Sequence, residues 1–396
     1  MSIRFTEFIA LTALFMAITA LSIDMVLPAL SVIGKEQGLA DINQTQYIIT
    51  ALFIGFTIGQ IAYGPISDSL GRKPAIYIGL AVFIGGSLLC FLSTSFHIML
   101  AGRFLQGLGA ASPRIISMAI IRDQYHGREM SRVMSFVKAV FIFVPVVAPS
   151  MGEAMIFLAG WRSIFIAFIG VAAIAILWAH LRLPETLKPE DKRPFDLASI
   201  WQGICLVIGN KATMGYTICA GLIFGVLVGY ISSARQIFQD YFHTGSHFVI
   251  YFAVSALSIG AAAVVNSMIV MRIGMHRICH YSILAIMLAS AVFLCVVTLN
   301  PYHTALWEFM IYAPILFFCI GLLFGNLNAL AMEPMGHIAG IAAAVVGTFS
   351  SAISVAIGTA IGQAYNNTLV PLIAGFFLLS VLVFVLQWRL ARIRIE

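Results

Sequence analysis

Five ionisable residues lie inside long apolar runs of this chain: Asp24, Arg103, Arg114, Lys138 and Glu153. Charges within a bilayer are costly and usually face a cavity or a partner. At a rise of about 1.5 Å per residue, Asp24, some six residues before the outer end of its run, and Arg103, some five residues into its own, sit at similar depth. A carboxylate facing a guanidinium holds a proton less tightly than one alone in apolar surroundings. Motion that parts such a pair loads a proton, and motion that rejoins it releases one. The alternative is a static ion pair that orders two helices. Glu153 follows Pro145, Pro149 and Gly152; it is either a second protonatable site or a carboxylate reaching outer water.

Arg114 follows Arg103 by eleven residues, close to three helical turns, so both share one face. Gly107, Ala110 and Ala111 lie on much the same face and permit close helix approach. Pro113 releases a backbone carbonyl just before Arg114. Lys138, about two turns into the next run, comes to a similar depth. Two cations there suit an anionic or carbonyl-rich ligand, unless both snorkel to the interface. Phe136, Tyr230 and Asn326 are further candidates for the lining of a binding pocket, although most of the 30 phenylalanines must pack or face lipid.

The elements that position these residues follow from composition. Of 396 residues, 61% are hydrophobic and 10% charged, against roughly a quarter charged in soluble domains. Spans are expected at 6–30, 45–66, 75–94, 98–121, 132–157, 163–182, 212–237, 247–270, 279–299, 305–331, 339–363 and 369–388. The fold class is thus an all-α membrane protein of 12 transmembrane helices in two pseudo-symmetric six-helix halves, 1–183 and 211–396, joined by a cytoplasmic linker at 184–210 whose polar part runs from Pro184 to Ala198. Arg72, Lys73, Arg122, Arg182, Arg272, Arg277 and Arg389 mark one set of loops, which the positive-inside rule puts in the cytoplasm with both termini. The net charge of +6 therefore reflects topology and not a nucleic-acid partner. Six scattered cysteines and histidines near loops form no metal or disulfide pattern, and neither metal nor cofactor is expected. No ring of charge or repeated carbonyl filter marks a channel, and no cluster of acid, base and nucleophile marks an enzyme.

One charged turn interrupts the first hundred residues: Gly64-Pro65-Ile66-Ser67-Asp68-Ser69-Leu70-Gly71-Arg72-Lys73-Pro74. Asp68 suits a helix N-terminus, and Arg72 and Lys73 suit adjacent helix ends. Gly274-Met275-His276-Arg277 is a degraded copy about half a chain later, the offset expected of an internal repeat.

This turn resembles the G-x-x-x-D-x-x-G-R-K/R loop of the major facilitator superfamily. Arg103-Phe104-Leu105-Gln106-Gly107-Leu108-Gly109-Ala110-Ala111 resembles its R-x-x-Q-G-x-G-A-A motif, and Asp24-Met25-Val26-Leu27-Pro28-Ala29-Leu30 the D-M-x-L-P-A-L of Bcr/CflA-type drug:proton antiporters. The resemblance implies a monomeric, alternating-access exporter in the bacterial inner membrane that exchanges protons for small amphipathic or anionic molecules. It assigns proton coupling to Asp24 and Arg103, and a conformational latch to Gly64, Asp68, Gly71, Arg72 and Lys73. One departure is Ala148-Pro149-Ser150-Met151-Gly152-Glu153 in place of G-P-x-x-G-G. A charge in place of a small packing residue favours a charged cargo, such as a carboxylate-bearing siderophore. An importer of the same fold is the alternative.

Overall fold

A computed structural model describes residues 4–125, 127–192, 197–300 and 304–393, with the side chains at 127, 128, 131, 135, 138–142, 191, 197–200, 246, 336, 337, 339 and 391–393 outside what is described. Among the described residues the regular structure is helical, without a strand. The chain divides into two compact units, Met1–Leu197 and Ala198–Glu396.

The first unit holds α1 (Phe5–Asp24), α2 (Leu30–Glu36), α3 (Tyr47–Leu70), α4 (Arg72–Phe91), α5 (Phe96–Gln124), α6 (Gly127–Ala159) and α7 (Arg162–Arg182). Helix α5 packs between α3 and α4, while α1 packs on α6 and α4 on α7. Gly107 permits the α3–α5 approach: a Cβ there would lie 1.9 Å from the Leu52 carbonyl oxygen.

The second unit holds most of α8 (Leu197–Gly209), then α9 (Lys211–Arg235), α10 (Phe248–Ile273), α11 (Met275–Leu299), α12 (Leu306–Met332), α13 (Ala339–Gln363) and α14 (Val370–Ile393). The pairing order repeats that of the first unit: α12 contacts α10 and α11, α9 packs on α13, and α11 on α14. Gly71 and Gly274 join the second and third spans of their units with φ of 112° and 85°, a conformation that side chains with a Cβ rarely adopt. The degraded repeat has kept the residue its backbone requires.

Eleven described segments are long and apolar enough to cross a membrane. Helix α6, at 33 residues, supplies the twelfth span, although its described apolar stretch is the shorter Phe143–Ala159. One expectation needs correction. The first span is not a continuous helix over 6–30: α1 ends at Asp24, Leu27–Ala29 form a 3-10 turn, and α2 resumes. Pro28 lies at the start of that turn, where its missing N–H costs no hydrogen bond. Within 184–210, α8 occupies 197–209, and its Gly203 packs on Ile341 of α13.

Candidate functional site

Arg103 sits within the first unit with no exposed surface. Its Nε donates to the Ile48 carbonyl of α3 at 3.2 Å, one terminal nitrogen to the Ser22 carbonyl of α1 at 2.9 Å, and the other to Gln106 Oε1. The Gln106 amide donates in turn to Ser87 Oγ of α4 at 2.8 Å. A planar guanidinium with five donors suits such multi-helix bridging. Thr19 adds a bond from α1 to the Ala110 carbonyl of α5 at 3.1 Å.

Asp24 closes α1 two residues beyond Ser22, with 4% of its surface exposed. The expected direct pair does not form: Arg103 grips the turn that carries Asp24 through its backbone. Among the described residues of this unit, no cation lies within ion-pair distance of the Asp24 carboxylate. The broken backbone after Asp24 is covered by α6. A Cβ at Gly152 would lie 2.1 Å from the Met25 carbonyl oxygen, and Ala148 is fully buried. The Ala-Pro-x-x-Gly part of the altered motif thus keeps its tight packing. Glu153, the replaced position, is half-buried beside it.

The remaining candidates are dispersed. The Arg114 guanidinium lies 5.1 Å over the Phe56 ring of α3, a geometry for cation–π attraction. Lys138 belongs to α6, but its side chain is outside the described residues. Phe136 is half-exposed and stacks with Arg132, 6.0 Å away, not with Arg114. In the second unit, Tyr230 is packed in an aromatic core: it donates to Ser255 at 3.1 Å and meets Phe317 and Phe252 at ring distances of 4.4 and 5.9 Å. Asn326 is buried too and donates to Asn266 Oδ1 at 2.7 Å. Accessible aromatic surface lies instead at Phe324, which meets Phe224 edge to face at 4.4 Å.

The charged turn is organised differently from its sequence reading. Gly64 to Leu70 complete α3, and only Gly71 separates it from α4. Arg72, almost fully buried, bonds Asp68 and Ser67 and reaches Asp123 of α5 at 2.8 Å. Asp68 therefore serves a buried arginine from the last turn of α3. The α4 N-terminus is capped by Glu185, which accepts from the amides of Arg72 and Lys73 at 2.9 and 3.1 Å. It also accepts from the amides of Thr186 and Leu187 at 3.0 Å each, and Thr186 donates to Asp123 at 3.1 Å. First-turn amides have no partner within their own helix, and a carboxylate satisfies them while matching the helix dipole. No sequence pattern marks Asp123 or Glu185 for these roles. Glu185→Ala is expected to destabilise the protein by about 1–2 kcal/mol, the usual magnitude for a lost N-terminal cap, with faster amide exchange confined to the start of α4. Unchanged exchange there would show that the cap is dispensable.

The profile of the Major Facilitator Superfamily matches residues 12–359. The chain belongs to this superfamily. It is 32% identical over 369 residues to the uncharacterized MFS-type transporter YdgK of Bacillus subtilis, covering 91% of this chain and 90% of that protein. It is 28% identical over 360 residues to a bicyclomycin resistance protein homolog of Haemophilus influenzae, covering 89% and 87%. It is 25% identical over 361 residues to multidrug resistance protein MdtL of a Salmonella strain, covering 88% of each. Among solved structures, the human organic anion transporter MFSD10 superposes with a TM-score of 0.71 over 97% of this chain and 99% of its own, at 15% identity, which is a likeness of fold. This superfamily member is a multi-pass membrane transporter of small molecules and not an enzyme.

Proposed function

We propose that this superfamily member is a proton-coupled exporter that exchanges protons for small amphipathic or anionic molecules by alternating access. The reading rests foremost on Asp24: a buried carboxylate at a helix break, without an ion-pair partner among the described residues of its unit. Irregular backbone at membrane depth is tolerated where protein covers it or where it lines a cavity, and broken helices in transporters characteristically carry ion and substrate sites. Glu153 and the grip of Arg103 on Ser22 place a second carboxylate and a fixed cation near the same break. The names of the Haemophilus and Salmonella relatives favour drug-like cargo. Arg114 and Lys138 favour cargo bearing an anionic group. The cluster around Arg72, together with Gly64, Gly71 and Lys73, acts as a latch that holds one conformational state. The protein works as a monomer in the bacterial inner membrane with both termini in the cytoplasm, the side its basic residues favour.

The test is transport in proteoliposomes under an imposed pH gradient, with neutral drugs set against aromatic carboxylates. The expected result is solute moving against its own gradient while the pH gradient lasts and stopping when it is collapsed. Transport indifferent to the pH gradient would remove the coupling.

A further inference from the structure

The first spanning helix of the second unit, like α1, departs from regular α-helical geometry at a charged residue. Helix α9 keeps regular geometry up to Arg235, and the next six residues, Gln236–Tyr241, form a π-helical turn. π-helical turns are rare, and this one closes the span. Arg235 lies about 9 Å before the end of that turn at 1.5 Å per residue, so it stands within the span and not in a loop.

Its surroundings are incompletely satisfied. Seven buried side-chain atoms among the described residues lack a hydrogen-bond partner, and three fall within four consecutive positions: Ser232 Oγ, Ser233 Oγ and Arg235 Nε. Hydroxyls in spanning helices ordinarily bond the carbonyl one turn back, as Thr217 and Ser354 do at 2.7 and 2.6 Å. Ser232 and Ser233 do not. Asp240 approaches Arg235 only to 3.7 Å, and 40% of its own side-chain surface is exposed.

Arg235 also ends a row. Phe224, Leu227, Ile231 and Arg235 are the half-buried positions along one face of α9, about 16 Å long at 1.5 Å per residue. Phe324 extends its apolar end. An apolar strip ending in a few convergent donors is the usual composition of a small-molecule site. Ser232, three residues from Arg235, lies beside the same face.

We propose that this face of α9 binds an amphipathic anion, with its apolar body along Phe224, Leu227 and Ile231 and its carboxylate received by Arg235 Nε and Ser232 Oγ. The proposal rests on the exporter reading and supplies the chemistry of its cargo. On binding, the carboxylate replaces Asp240 as the closer partner of the guanidinium and satisfies donors that are otherwise orphaned.

The test uses charged thiol reagents and a pair of naphthyl probes in place of the natural cargo. In full-length protein whose exposed Cys205 and Cys295 are replaced by alanine, Ser232→Cys is labelled with an anionic or a cationic methanethiosulfonate reagent. The expected result is labelling that favours the anionic reagent, with the anion-to-cation rate ratio falling about tenfold when Arg235→Gln removes one nearby unit charge. Arg235→Lys restores the ratio. 2-Naphthoate slows labelling, whereas neutral 2-naphthamide does not. If Ser232→Cys fails to fold, Leu227→Cys on the same row serves in its place. A cysteine that no reagent reaches, a ratio indifferent to Arg235→Gln, or equal protection by both naphthyl compounds overturns the site. Protein that transports under a pH gradient but gives those results loses this site and keeps the exporter reading. Protein that passes them but moves no solute keeps the site and loses the coupling.

Discussion

Asp24→Asn is expected to abolish pH-driven accumulation of solute while leaving the protein folded and able to exchange solute across the membrane without a gradient. Asparagine has nearly the shape of aspartate but cannot release a proton. Because no ion pair among the described residues of the first unit uses this carboxylate, neutralising it orphans no cation among them. Removing one partner of a buried pair normally costs several kcal/mol because an uncompensated charge remains, and that penalty has no source here. Thermal stability should therefore stay level or rise, since an ionised group no longer has to be buried. Glu153→Gln supplies the contrast. That carboxylate is half-buried, and its neutralisation is expected to lower accumulation less than that of Asp24. Proteoliposome uptake with and without a pH gradient, beside unfolding in detergent, separates the effects. An Asp24→Asn protein that still concentrated solute would remove Asp24 from the coupling step.

The features legible in the sequence are those that violate their surroundings. A carboxylate or guanidinium in an apolar run is conspicuous because burial is costly, and Asp24, Arg103 and the turn at 64–74 stand out for that reason. Spans, repeat and glycine punctuation follow from hydropathy and from backbone conformations that only glycine readily adopts. Asp123 and Glu185 are not legible in this way, because charges at a helix end and in a linker are unremarkable there. Only the folded chain brings them against Arg72 across 51 and 113 residues of sequence. Pro28 signals the break after Asp24, but hydropathy averages over such a turn because Leu27, Pro28 and Ala29 are themselves apolar. The partner of Arg103 is hidden for a related reason. Similar depth suggests the carboxylate, whereas the guanidinium takes carbonyls from two helices, an option that every buried backbone offers and no sequence pattern displays.

That observation separates two roles for Arg103, and its replacement carries the other large expected effect. If Arg103 were chiefly an electrostatic switch for Asp24, lysine would preserve most of its function, because the charge stays at similar depth. The geometry predicts otherwise. The guanidinium ties α1 through Ser22, α3 through Ile48 and α4 through the Gln106–Ser87 relay. A lysine ammonium is a compact point charge without the planar fork, and it cannot span these acceptors together. Arg103→Lys should therefore destabilise the first unit even though the charge is kept. Arg103→Met should leave the Ser22 carbonyl and the Gln106 oxygen unpaired in the interior, while the Ile48 carbonyl keeps the helical partner that its place inside α3 supplies. At about 1–3 kcal/mol for each buried group left unsatisfied, the loss for the two groups is about 2–6 kcal/mol, enough to cut the yield of folded protein. Both variants should raise hydrogen exchange together in the last turn of α1 and the first turn of α3, the segments that Arg103 joins. If Arg103→Lys unfolds at the wild-type temperature yet fails only in proton-coupled transport, the clamp is secondary and the switch is the principal role of this residue.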